Sequence, residues 1–185
     1  MQRAENRVPA IVQVEPRPDT VTKLARSSLD NQPPAPSATY FDGFGNLCRR
    51  LTFPAGPSTL RYDALVDIPP VEDPVDLTAE EIPAEQLPSE TLLFTLPSRF
   101  CPSDELGTVA FELFAGVKPG WSRVQAICDW VHDAVAFGYG TSGPTTTASH
   151  VFESRKGVCR DFAHLMVTFC RARIGRGRDA LSTSQ

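Results

Sequence analysis

The chain has 185 residues, of which 41% are hydrophobic and 22% charged, with a net charge of −4. This is the composition of a soluble globular protein of one or two domains, and it leaves no basic field to hold nucleic acid or an anionic membrane surface. No apolar run approaches the length that spans a bilayer, and the N-terminus leads into no apolar signal segment. The five cysteines (Cys48, Cys101, Cys128, Cys159 and Cys170) are widely spaced and form no C-x-x-C pair, so no zinc site, metal or cofactor is implied. Their odd number fits a reducing cytoplasm better than a disulfide scaffold.

Fifteen of the 17 prolines lie in residues 1–102, and short apolar runs between them read as strands. These runs are Val8–Val14, Cys48–Phe53, Leu60–Ile68 and Leu92–Leu96. Residues 40–47 look like a strand end followed by a Gly/Asn turn. Leu60–Ile68 alternates apolar and polar, as a half-solvated antiparallel strand does. Residues 1–95 are therefore expected to be a small antiparallel β domain, with the acidic, Pro-rich stretch 69–90 as a solvated connection.

The rest of the chain reads as helical. Ser103 is placed to cap a helix running to about Ala115, which Gly116 and Pro119–Gly120 break. Ser122 caps a second helix with Val124, Ile127, Cys128, Val131 and Val135 on its apolar face, ending near Gly138. Residues 138–147 are a loop. A short helix follows over Ala148–Ser154, stopped by Arg155-Lys156-Gly157. The last helix runs from Val158 to about Arg173 and is apolar around most of its circumference, as a helix buried in mid-domain is.

Cys159 is the sharpest chemical candidate, because it opens that last helix. A thiol at a helix N-terminus meets unpaired N–H groups and the positive end of the macrodipole, which favour thiolate. Cys128 and Cys170 read as core cysteines, Cys48 and Cys101 as structural ones. A cysteine nucleophile needs a base, usually histidine. His164 lies five residues on, rotated by about 140° from Cys159, and shares a stripe with Arg160. His132, beside Asp133, and His150, in the short helix, are the other histidines. Asp161 suits a first helical turn whether or not it is functional. Tyr139 and the 138–147 loop are candidates only for a cleft mouth.

The string Gly157-Val158-Cys159-Arg160-Asp161-Phe162-Ala163-His164-Leu165, preceded by Thr147-Ala148, resembles the catalytic-cysteine segment of bacterial transglutaminase-like proteins. The helix Ile127–His132 leading to Gly138-Tyr139 is similar to the one that precedes it in that family. Asp42-Gly43-Phe44-Gly45-Asn46 resembles a turn of the β domain that often comes first. The resemblance covers roughly residues 8–172. It implies an α+β chain with a β domain at 1–95, a papain-like core at 96–175 and a tail at 176–185. It also implies that Cys159 attacks an amide or peptide carbonyl to form a thioester, with a protein or peptide as substrate.

The family pattern continues past Cys170-Arg171-Ala172 into strands that carry a histidine and an aspartate. Here the sequence runs into a short Gly/Arg-rich stretch. The expectation is a truncated or frameshifted core lacking most of its sheet, its catalytic His and Asp, and most of its activity. Two alternatives stand beside it: a non-enzymatic binding or scaffold protein built on the β domain, and a substitute base in His132 or His150.

Overall fold

The computed structural model describes residues 2–4, 6–16, 23–70 and 74–175, and the tail read as 176–185 lies outside them. The chain is α+β and divides into two units, 1–73 and 74–185. Residues 74–95 thus go with the helices rather than with the sheets.

The first unit holds two three-stranded antiparallel sheets. Strands β1 (Gln2–Ala4), β3 (Lys23–Gln32) and β6 (Gly56–Asp67) lie in the order β1-β6-β3. Strands β2 (Val8–Val12), β4 (Ser37–Phe41) and β5 (Leu47–Phe53) lie in the order β2-β5-β4. The expected alternation holds along β6, where exposed and half-buried residues alternate through most of the strand. The turn between β4 and β5 is built by Asp42. Its Oδ1 accepts from the Phe44 and Asn46 amides at 2.8 and 2.9 Å, and its Oδ2 from the Asn46 side chain at 2.9 Å. These bonds, led by the Asn46 side chain, hold the carboxyl below the usual carboxylate range. Gly45 takes the positive φ (76°) that the turn requires. Cys48 and Leu51 on β5 are buried.

In the second unit Leu92–Leu96 departs from the expected strand: Ser89–Thr95 is a 3₁₀ helix. The first α-helix, α1 (Gly107–Phe114), begins after a turn at Ser103–Leu106, so Ser103 is a buried turn residue rather than its cap. Helix α2 (Trp121–Ala134) is capped by Gly120, not Ser122. Gly120 has φ 92°, and a Cβ there would lie 2.3 Å from the Ala79 carbonyl oxygen. That carbonyl accepts from the Trp121 amide at 3.0 Å. Nearby, Arg123 donates to Glu81 at 2.7 Å. The acidic connection is therefore partly anchored on α2 instead of wholly solvated. On α2, Arg123, Ile127 and Val131 face inward, and Val124 and Cys128 stay exposed. Cys128 is not the core residue its apolar neighbours suggested.

Helices α3 (Ala148–Ser154) and α4 (Cys159–Gly175) complete the unit, with two-residue strands β7 (Ala136–Phe137) and β8 (Lys156–Gly157) paired in parallel. Arg155 ends α3 in the left-handed region (φ 56°), a place usually taken by glycine. Its guanidinium lies 4.4 Å from the Phe152 ring centre and 4.7 Å from that of Trp130. The resulting cation–π contact compensates the backbone strain. Phe169 is fully buried at the centre of the core, edge-on to Phe114, Trp130 and Phe152 at 5.5, 5.4 and 6.0 Å.

Gly120→Ala should lower the unit's stability by about 2 kcal/mol or more in urea unfolding, because both the φ and the Ala79 carbonyl oppose a Cβ. Gly116→Ala, where nothing lies within 4 Å of the new Cβ, should leave it nearly unchanged.

Candidate active site

Helix α4 opens at Cys159, and the architecture of that opening is set by Asp161. Its side chain is only 1% exposed. Its Oδ2 accepts from the Val158 amide at 2.9 Å, which is half of a capping box closed over the first turn. Its Oδ1 accepts from the Ser142 hydroxyl at 2.9 Å. Arg160 donates to Ser142 Oγ at 2.6 Å and to the Gly143 carbonyl at 3.1 Å. The loop 138–147 is thereby tied to the helix start. Burial alone would raise the Asp161 pKa, but the bonds from Val158 and Ser142 and the Arg160 charge together hold it below the usual carboxylate range. Gly157 fits this arrangement because a Cβ there would lie 2.8 Å from the Asp161 Cβ.

Cys159 is exposed. It opens onto a groove of about 500 Å³ that it lines with His132, Val135, Phe137 and Phe162. Two elements bring these together. Helix α2 supplies His132 in its last turn and leads into Val135 just past its end, and the β7–β8 pair sets Phe137 opposite Gly157 in register. His132 Nδ1 lies 3.0 Å from Asp133 Oδ1, both side chains being well exposed.

Of the three histidines, His132 is the one that lines the Cys159 groove. His164 instead stacks on Phe100, ring centres 5.5 Å apart. Burial first, and the Arg160 charge second, push its pKa down, which favours the neutral ring. His150 is exposed near the start of α3, where its amide donates to the capping Thr147 hydroxyl. Among the described residues, no group of three or more His, Cys, Asp or Glu side chains is placed to hold a metal ion.

Along α4, Asp161, Leu165, Thr168, Phe169 and Ala172 are buried, and Cys159, Ala163 and Val167 are exposed. The helix is covered on one face rather than all round. Cys170 is half-buried, and its thiol is pushed up to about 11, chiefly by burial and then by neighbouring Cys128 and Glu81. Ser142 and Phe137 escaped the sequence reading. A serine in a Gly/Thr loop and a phenylalanine just past a helix carry no local signal of the partners they meet.

Residues 107–174 match the family model described as the transglutaminase-like superfamily. Over those residues the chain is transglutaminase-like. A solved structure described as a candidate cysteine protease from Cytophaga hutchinsonii resembles most of the chain, with a TM-score of 0.81 and 28% identity. That match takes in 92% of this chain and 60% of the other, so the chain spans about three fifths of that protein's length. No curated protein matches. The antiparallel sheets, followed by the helices of a papain-like, transglutaminase-like core, are the α+β fold expected, and no helix among the described residues is long and apolar enough to cross a membrane.

The Asp161 carboxylate contributes stability that is complete above the unfolded carboxyl pKa of about 4 and is lost as pH falls through its lower folded value. Asp161→Asn should weaken that acid loss and cost about 2 kcal/mol at pH 7 in urea titrations. At pH 8, brief thiol alkylation with peptide mapping should mark Cys128 and Cys159 first and Cys170 slowly, since Cys170 remains a thiol until pH nears 11. Labelling of Cys170 as fast as Cys128 would contradict its burial.

Proposed function

We propose that the chain is a transglutaminase-like acyl-transfer protein whose nucleophile is Cys159. The supporting observation is the groove, which an exposed thiol at a helix N-terminus lines together with an imidazole and apolar side chains. In the proposed reaction the Cys159 sulfur bonds to an amide or peptide carbonyl carbon. The C–N bond breaks, and the amine departs with a proton, leaving a thioester. Water then releases a carboxylic acid, or a second amine takes the acyl group, and the thiol is restored. A protein or peptide is the substrate class. No cofactor takes part in this scheme.

In this reading turnover by the chain alone is slow, because no described histidine hydrogen-bonds the Cys159 thiol. General-base assistance is worth about 10²–10⁴-fold. A second reading is favoured by the groove itself: His132, held by Asp133, serves as the base when substrate closes around it.

The test is hydrolysis of a generic peptide amide across pH, with Cys159→Ala and His132→Ala. The expected result is a trace rate that Cys159→Ala abolishes. A robust rate lost in Cys159→Ala would overturn the slow-turnover reading, and a rate unaffected by that substitution would remove Cys159 as nucleophile. A pH profile for Cys159 alkylation that His132→Ala leaves unchanged would remove His132 as base.

A further inference from the structure

The groove beside Cys159 is lined mostly by apolar side chains. Val135, Phe137 and Phe162 form its walls, and none of the five lining residues carries a fixed charge. Val135 is buried and makes a firm floor. Phe137 is 56% exposed, and its ring meets that of Tyr139, itself 89% exposed, edge-on at 5.2 Å. Single exposed aromatics are ordinary on protein surfaces. Two in mutual contact at the edge of a groove that holds an exposed thiol are a different matter. Arg160, the nearest cation in sequence, is committed to Ser142, Gly143 and Asp161.

We infer that Phe137, with Tyr139 behind it, is a specificity-determining surface that receives an uncharged aliphatic or aromatic side chain of the acyl donor beside the carbonyl that Cys159 attacks. This rests on the reading of Cys159 as the nucleophile and adds a substrate class to it. Rings meeting edge-on offer both a face and an edge to an incoming ring. A carboxylate or ammonium placed against these rings would lose water and gain no partner from Val135, Phe137 or Phe162.

The test uses three chloroacetamides that differ only in the amide substituent: benzyl, carboxymethyl and aminoethyl. In each reaction the cysteine thiolate forms a C–S bond as chloride leaves, so no base or turnover is required. Cys128 is also exposed and is not among the groove residues, so it serves as the reference thiol in the same molecule. Rates at each cysteine are read by peptide mass mapping of the full chain. The benzyl-to-carboxymethyl and benzyl-to-aminoethyl ratios at Cys159 should exceed those at Cys128 by about tenfold, at the low end for an apolar pocket because the groove is open. Phe137→Ala should bring that excess below about threefold, and Tyr139→Ala should lower it in part. Equal ratios at both cysteines in the unmodified protein would overturn the inference, even if the variants fail to fold. An excess that survives Phe137→Ala in a folded variant would also overturn it. Failure of every probe at Cys159, while Cys128 reacts, would instead strike the nucleophile reading, and the inference would fall with it.

Discussion

One buried carboxylate organises the working end of this molecule. Asp161 accepts from the Val158 amide and from the Ser142 hydroxyl, and so joins the helix that presents the thiol to the loop beside it. A carboxylate so deeply covered is tolerable only because its hydrogen bonds and the Arg160 guanidinium outweigh its desolvation. Cys159 lies between Val158 and Arg160, each bonded to this cluster, so its backbone has little freedom. A side chain on a backbone held in this way keeps a fixed position. Gly157 belongs to the same device, since the space a Cβ would take is filled by Asp161.

The hydrophobic core supports that end from below. Leu165, Phe169 and Ala172 face inward along α4, and Phe169 touches three aromatic rings from three other helices. The apolar side chains on the opposite face are mostly small or half-buried, with Val167 the large exposed one. The cost of leaving that face open is therefore below what an all-round apolar helix would incur, because the bulkiest residues point to the core. Helix α2 joins the two regions: Ile127 and Val131 enter the core, and His132 reaches the groove.

Much of this was legible in the residues. Thr147 and the apolar period after it set α3 at Ala148–Ser154, and the G-V-C-R-D-F-A-H-L string marked the start of α4. The turn at Asp42–Asn46 could be read because its residue types perform their own capping. Strand β3 could not, because almost every side chain in Lys23–Gln32 is exposed and the strand is specified by pairing with β6 rather than by an apolar face. The rotation of α2 is not legible for a similar reason. Arg123, itself buried, pairs with the more exposed Glu81 42 residues away on the inward face, and helical periodicity contains no trace of that pair. Asp161 was recognised as suited to a first turn, but its bond to Ser142 depends on a loop whose path no local pattern dictates.

The central claim is that Cys159 is the nucleophile of a groove built to receive an acyl group. Brief exposure of the intact protein to an activated ester, followed by intact-mass and peptide analysis, tests it most directly. The account predicts one acyl group per chain, carried as a hydroxylamine-sensitive thioester on Cys159 and formed ahead of any adduct on Cys128. Acylation spread equally over the two exposed cysteines, or absent from Cys159, would contradict it.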